Sequence, residues 1–216
     1  MEDGPLGDGM TIDRFLACYE APPQDRRDGY DAAMFAGCTP AERRVAREML
    51  LARALQGETI DLDGLAHVGD ADTIRALREA DGLDAQFGHA FGVGRLETLY
   101  RLTGDPADLE GLFRYIDGDG KAARAFAAQA LSRHGAPEAF AAPLADRLAS
   151  GRHEDIVLPL TASWLSTQGE PMADMRAFQR CLPFMRSVMA ERPSRRLALL
   201  QGRATQDRDA GTLARR

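Results

Sequence analysis

Four short segments of the chain end on the same mark. They span residues 65–71, 100–106, 131–137 and 165–171, and each carries a glycine: Gly69, Gly104, Gly135 and Gly169. A large apolar residue stands four places before each glycine (Leu65, Tyr100, Leu131, Leu165), and an Ala or Pro stands two places after it (Ala71, Pro106, Pro137, Pro171). The glycines are 35, 31 and 34 residues apart. A period of this size reads as helical hairpins stacked one on the next. One hairpin of short helices cannot bury its own apolar stripe, so its neighbours must do so. The reading therefore expects the residue four before each glycine inside, the glycine turning the chain at the end of a second helix, and the Asp or Pro after it opening the next first helix.

The wider composition agrees. Apolar residues make up 44 % and aromatic residues only 6 %. Small side chains suit close helix packing better than a sheet, which favours β-branched and aromatic residues. Cys18, Cys38 and Cys181 are sparse, odd in number and without a CxxC pair, as expected of thiols in a reducing compartment. The opening residues have no basic stretch followed by an apolar one, and no run approaches the ~18 apolar residues of a membrane span, so a cytoplasmic chain is expected. The formal net charge is −6, which disfavours general nucleic-acid binding. The charge is uneven. Residues 171–216 sum to +6 and residues 1–170 to −12, so an acidic body should attract a partner with a basic surface.

Along the chain, residues 1–10 read as a disordered acidic terminus. Short helices are expected over 11–19 and 28–35. Thr39-Pro40-Ala41-Glu42 combines a hydroxyl cap, a first-turn Pro and a Glu three after the cap, a strong helix start. Asp70 and Asp105 should cap further first helices. A long helix is expected over 84–102. Pro171 should open a last helix rich in Met172, Met175, Phe178, Leu182, Phe184 and Met185, kinked at Pro183. The expected architecture is thus all-α: an α-solenoid of antiparallel helix pairs over 11–191, with repeats near 39–68, 69–103, 104–134 and 135–168. A capping helix over 171–191 and an Arg-rich tail over 192–216 complete it.

One repeat carries a family likeness. Gly104-Asp105-Pro106, an amphipathic helix, the turn Asp117-Gly118-Asp119-Gly120, then 122–131 (Ala-Ala-Arg-Ala-Phe-Ala-Ala-Gln-Ala-Leu) and Gly135 resemble a HEAT repeat of the short bacterial, phycobilisome-lyase type. Gly69 begins a similar segment with Ala71 in place of Pro. Gly135 begins another with Ala136 in place of Asp and an off-pattern Pro159. The likeness covers roughly residues 39–191 and implies a protein-binding solenoid. Enzymes related to that family, bilin lyases and certain DNA glycosylases, need site residues that have no counterpart here. Fold alone does not transfer a function.

Motifs of chemistry are weak. Asp117-Gly118-Asp119-Gly120 begins like a calcium loop, yet Lys121 and Ala128 occupy the fifth and twelfth positions, where oxygen ligands are required. His153-Glu154 begins like a zinc-protease helix, but Val157 stands where the second His must be. Gly92-Val93-Gly94 lacks the third glycine and the preceding strand of a dinucleotide loop; together with Gly88 it suits close helix packing or a kink. His67, His89, His134 and His153 are scattered. Trp164, in the row of Leu99 and Ala130, reads as core. No catalytic, cofactor-binding or metal-ligating residue is assigned.

The sequence therefore points to a non-enzymatic protein-protein binding solenoid. A concrete version is a cytosolic immunity or antitoxin-like protein that covers a basic toxin. Asp84, His89, Lys121, Arg124, His153 and Asp155, near the starts of the second helices, are the expected contact residues. Two alternatives stay open: a lyase- or chaperone-like protein for a bound small molecule with a nucleophile such as Cys38, and a HEAT-type DNA-binding protein.

Overall fold

The computed structural model describes residues 11–26 and 29–213, and among them the regular structure is helical, with no strand. The disordered stretch expected over 1–10 lies outside the described residues. No helix among those described is long and apolar enough to cross a membrane. The chain divides into two compact units at the step from Asp108 to Leu109, inside the repeat expected over 104–134.

The first unit contains α1 (Thr11–Glu20), α2 (Pro40–Ala54), α3 (Thr59–Val68), α4 (Ala71–Glu79), α5 (Asp84–Phe87) and α6 (His89–Thr103). Its starts follow the local chemistry. Thr39 and Glu42 form the reciprocal cap, with the Glu42 amide donating to the Thr39 hydroxyl at 3.3 Å and the Thr39 amide to the Glu42 carboxylate at 2.7 Å. Asp70 accepts from the Thr73 amide at 3.0 Å. The helix expected over 28–35 reduces to a 3-10 turn at Ala32–Met34. The long helix expected over 84–102 breaks at Gly88, whose φ of 84° no helix can accommodate, and so becomes α5 and α6. In packing, α2 lies on α3, α4 on α6, and α3 beside α6. Phe15, Tyr30 and Phe35 close one end as an aromatic cluster.

A short α7 (Pro106–Glu110) spans the division. The second unit contains α8 (Phe113–Ile116), α9 (Lys121–His134), α10 (Ala141–Ala149), α11 (Val157–Thr167), α12 (Met175–Ala190) and α13 (Pro193–Leu213). Here α8 lies on α9, α10 on α11, and α9 beside α11, while α11 also meets α12. Helix α11 is apolar on most of its circumference and buried along most of its length, as a helix walled in on several sides must be. The start of α12 is not Pro171. That residue sits in a turn closed by the Asp174 amide donating to its carbonyl at 2.8 Å, and Asp174 caps the helix instead. Pro183 lies within α12.

The glycine marks behave as expected in three cases. Gly104, Gly135 and Gly169 have φ of 68°, 71° and 88°, the left-handed ending that only glycine adopts freely. Gly69 is different. Its φ is −62°, and glycine is needed there for space: a Cβ would lie 2.8 Å from the Leu65 carbonyl oxygen and 2.8 Å from Leu102. Leu65, Leu131 and Leu165 are fully buried, whereas Tyr100 is half-buried and its neighbour Leu99 takes the inner position. Trp164 and Ala130 are buried in the same row as Leu99.

A recurring bond seals the second helices. The Thr98 hydroxyl of α6 donates to the Leu62 carbonyl of α3 at 2.9 Å. The Ser163 hydroxyl of α11 donates to the Ala128 carbonyl of α9. In both units the donor stands six residues before its closing glycine and the acceptor seven before the preceding one. Both hydroxyl residues are buried, so an unmatched hydroxyl would carry a desolvation cost.

Residues 192–216 were expected as a tail. In the described part α13 instead packs on α10 and α12, with Leu200 buried. Arg196 is 2 % exposed and donates to the carbonyls of Leu148, Val188 and Glu191, and to both carboxylate oxygens of Glu154 at 2.6 and 2.8 Å. One planar guanidinium thus finishes the C-terminal ends of α10 and α12 together. Arg196→Ala should lower unfolding stability by about 3 kcal/mol in urea titration, because several carbonyls lose a charged donor. Arg196→Lys should recover less than half, since a point charge cannot span the fork.

Candidate functional site

The six expected contact residues separate into two groups. Asp84 and His89 belong to the first unit, where Asp84 faces the Arg95 guanidinium at 3.4 Å. Arg95 is itself 2 % exposed, bonded to the Leu77 carbonyl at 3.1 Å and paired with Asp81. Lys121, Arg124, His153 and Asp155 belong to the second unit and come together around the Asp117–Gly120 turn. Arg124 donates to Asp155 at 2.7 Å and to the Gly118 carbonyl at 2.8 Å. Arg147 reaches both oxygens of Asp117, at 2.9 and 2.6 Å, and its guanidinium lies 4.2 Å from the Phe113 ring centre. The Arg124 pairing holds the Asp155 carboxyl below the usual carboxylate range. The cluster thus knits the start of α9 to α10 and to the turn before α11.

His153 is the buried member. Its Nε2 lies 3.6 Å from Asp117, and its Nδ1 has no partner. Burial pushes the imidazole below its ordinary value; the Asp117 carboxylate pulls it up, and Arg147, Arg152 and Arg124 push it further down. A depressed folded value means that the unfolded chain binds the proton more readily. This contribution to stability is therefore complete above about 6.5 and is lost as pH falls through the folded value. Thermal midpoints measured from neutral to acidic pH should fall across that window, and His153→Gln should flatten this part of the profile.

A second feature lies on the other side of α9. Its exposed face carries Ala122, Ala125, Phe126 and Gln129. Gln129 and Ser132 of α9, Leu158, Pro159 and Ala162 of α11, and Phe178 and Met185 of α12 line an open groove of about 120 Å³. The apolar surface extends from it. Phe126 is 47 % exposed, Met175 67 % and Met189 50 %. Helical spacing puts Met175, Phe178, Leu182 and Met189 along one side of α12, next to its buried row of Ala177, Cys181, Met185 and Val188. This helix has more apolar residues than its packing consumes. A wider cleft of about 350 Å³ runs between α10, α11 and α13, with Trp164, Gln168 and Gln201 in its wall.

The sequence reading missed an ionic knot in the first unit. Asp61 is fully buried in α3. It accepts from the Tyr30 hydroxyl at 2.7 Å, from Arg26 at 3.4 Å, and pairs with Arg53 at 3.0 Å. Burial pushes the Asp61 carboxyl up, opposed by the Tyr30 hydroxyl, Arg53 and Arg26, and burial likewise raises the Tyr30 phenol. The available signal was Asp61 standing one turn before core Leu65, on the face that must go inside. Asp61→Ala should destabilise the protein by about 3–5 kcal/mol by denaturant titration, because it takes the buried carboxylate from Arg26 and leaves that guanidinium the exposed Glu58 at 3.6 Å. The thiols are quieter: burial pushes Cys38 and Cys181 up, away from the thiolate.

Comparison with known protein families, with curated proteins and with solved structures finds no match for this chain. Among the described residues no group of His, Cys, Asp and Glu is arranged to hold a metal ion.

Proposed function

We propose that this chain is a HEAT-like solenoid of antiparallel helix pairs that acts by binding another protein and catalyses no reaction. The repeated hydroxyl-to-carbonyl bond between successive second helices supports the solenoid reading, because equivalent positions of a repeat make equivalent contacts. The binding reading is carried by one observation: α9 and α12 leave large apolar side chains in water beside an open groove.

A cytoplasmic immunity or antitoxin-like role is the concrete form. Residues 1–108 contain 21 acidic and 11 basic residues, a balance of −10, which favours docking of a basic partner surface on the first unit. A second reading, a chaperone for a small molecule, draws on the 350 Å³ cleft beside Trp164, near the lower end of ordinary ligand sites of about 300–1,000 Å³.

Co-expression with the product of the adjacent gene, followed by co-purification and calorimetric titration, tests the first reading. A stable complex is expected, and Phe126→Asp should weaken it at least ~10-fold, as for an interface anchor. A complex indifferent to Phe126→Asp, or a ligand that co-purifies in the cleft and is lost with Trp164→Ala, would favour another account.

A further inference from the structure

The groove of the second unit has a sign as well as a shape. Helices α9, α11 and α12, which form it, contain no Asp or Glu, in a chain whose 33 acidic residues outnumber the basic ones. Of their cations, Lys121 and Arg124 belong to the cluster on the other side of α9 and Arg180 pairs with Glu170, so Arg133 and Arg186 are the ones that border the groove. Arg133 stands one turn after Gln129 on the exposed face of α9, and Arg186 stands one turn after Leu182 on α12. The carboxylates at the helix starts are engaged: Asp174 caps α12, Asp155 holds Arg124, and Glu170 pairs with Arg180 and Arg203. Arg186 makes no ion pair among the described residues.

From an apolar floor bordered by cations we infer that this groove receives an amphipathic helix of a partner protein, one whose apolar stripe is flanked by carboxylates. The inference rests on the protein-binding reading and names the partner chemistry at this face. An open trough between helices accepts a third helix as i, i+3, i+4, i+7 anchors, and Met side chains adapt to the shape laid on them. A basic helix would bring like charges against Arg133 and Arg186. A nucleic acid would engage the cations and leave the Met175–Met189 stripe unused.

Fluorescence polarisation with the full chain separates these cases. Two labelled synthetic helical peptides share one Leu stripe, and carry Glu or Lys at the flanking positions. The Glu peptide should bind at least ~10-fold more tightly than the Lys peptide, with the difference shrinking as salt rises. The double variant Met175→Gln/Met189→Gln alters exposed side chains only and should weaken the Glu peptide by about tenfold. Arg186→Glu should remove most of the preference for Glu over Lys. Equal or reversed preference overturns the proposal. So does Glu-peptide binding indifferent to the two Met changes, or tighter binding of a duplex oligonucleotide than of either peptide. A dimer seen by light scattering that dissolves in the double Met variant also overturns it, since a second copy would then cover the groove. If the peptides fail while a captured partner still depends on Phe126, the sign of the partner is wrong and the binding reading survives; a partner indifferent to Phe126 removes both.

Discussion

Short helices must lie side by side for this chain to fold at all. The second helices α3, α6, α9 and α11 have 10, 15, 14 and 11 residues, lengths at which an isolated helix is marginal in water. Their stability comes from the neighbour that hides the stripe. The hydroxyls of Thr98 and Ser163 add a condition that apolar packing lacks. Each is buried and meets a carbonyl of the neighbouring helix; one residue of slip would take the Thr98 hydroxyl from its Leu62 acceptor, while the Ser163 hydroxyl also lies 3.0 Å from the Pro159 carbonyl of its own helix. Hydrophobic burial drives the helices together without direction; the hydroxyl fixes where along each other they stop. The glycines complete this arrangement. Three end their helices in a left-handed turn; Gly69, with φ of −62°, instead lets Leu102 approach where a methyl group would stand.

Much of this was legible in the sequence, because the positions involved are periodic and local. The 31–35 residue spacing located the helix ends, and Thr39, Asp70 and Asp105 stand at starts that follow from side-chain geometry alone. Leu65, Leu131 and Leu165 are inside because a residue one turn before a helix end shares its face with the core. The errors have local causes too. Proline is compatible with a first helical turn, so Pro171 read as a start, but Asp174 three residues on has the stronger cap. Gly88 read as a glycine for close packing or a kink, and its backbone conformation goes further and ends a helix.

What the sequence could not display depends on contacts distant along the chain. Arg26, Arg95 and Arg196 are each 2 % exposed, and composition counted all three as surface charge. Arg196 read as one of seven arginines in a tail, yet it joins Glu154, 42 residues earlier, and the carbonyl of Leu148. Asp61 finds Arg26 35 residues away. Each buried arginine satisfies helix-end carbonyls or carboxylates by its planar fork, which lets a small apolar core hold a charge without leaving it bare. Regional charge sums therefore describe the field around each unit better than they identify which side chains touch a partner. Among the six expected contact residues, Asp84, Arg124 and Asp155 are already committed to internal ion pairs.

That commitment shifts attention to side chains whose surface is not consumed internally. Met175 reads in the sequence as part of the apolar row of the last helix, because a sequence does not reveal which apolar residues outnumber their packing partners; Met189 is exposed on the same helix. On α12 the inner row fills the contact with α11, and in the outer row Phe178 and Leu182 are half-buried while Met175 and Met189 stay in water. The floor between them is rigid. Helix α11 is held by α9, α10 and α12 together, and the Ser163 hydroxyl ties it to α9. A ligand helix docking there would order few protein side chains beyond the exposed Met and Phe, which keeps the conformational cost of association low. A groove preformed in this way places its demand on the partner, which must bring both the apolar stripe and the opposite charge.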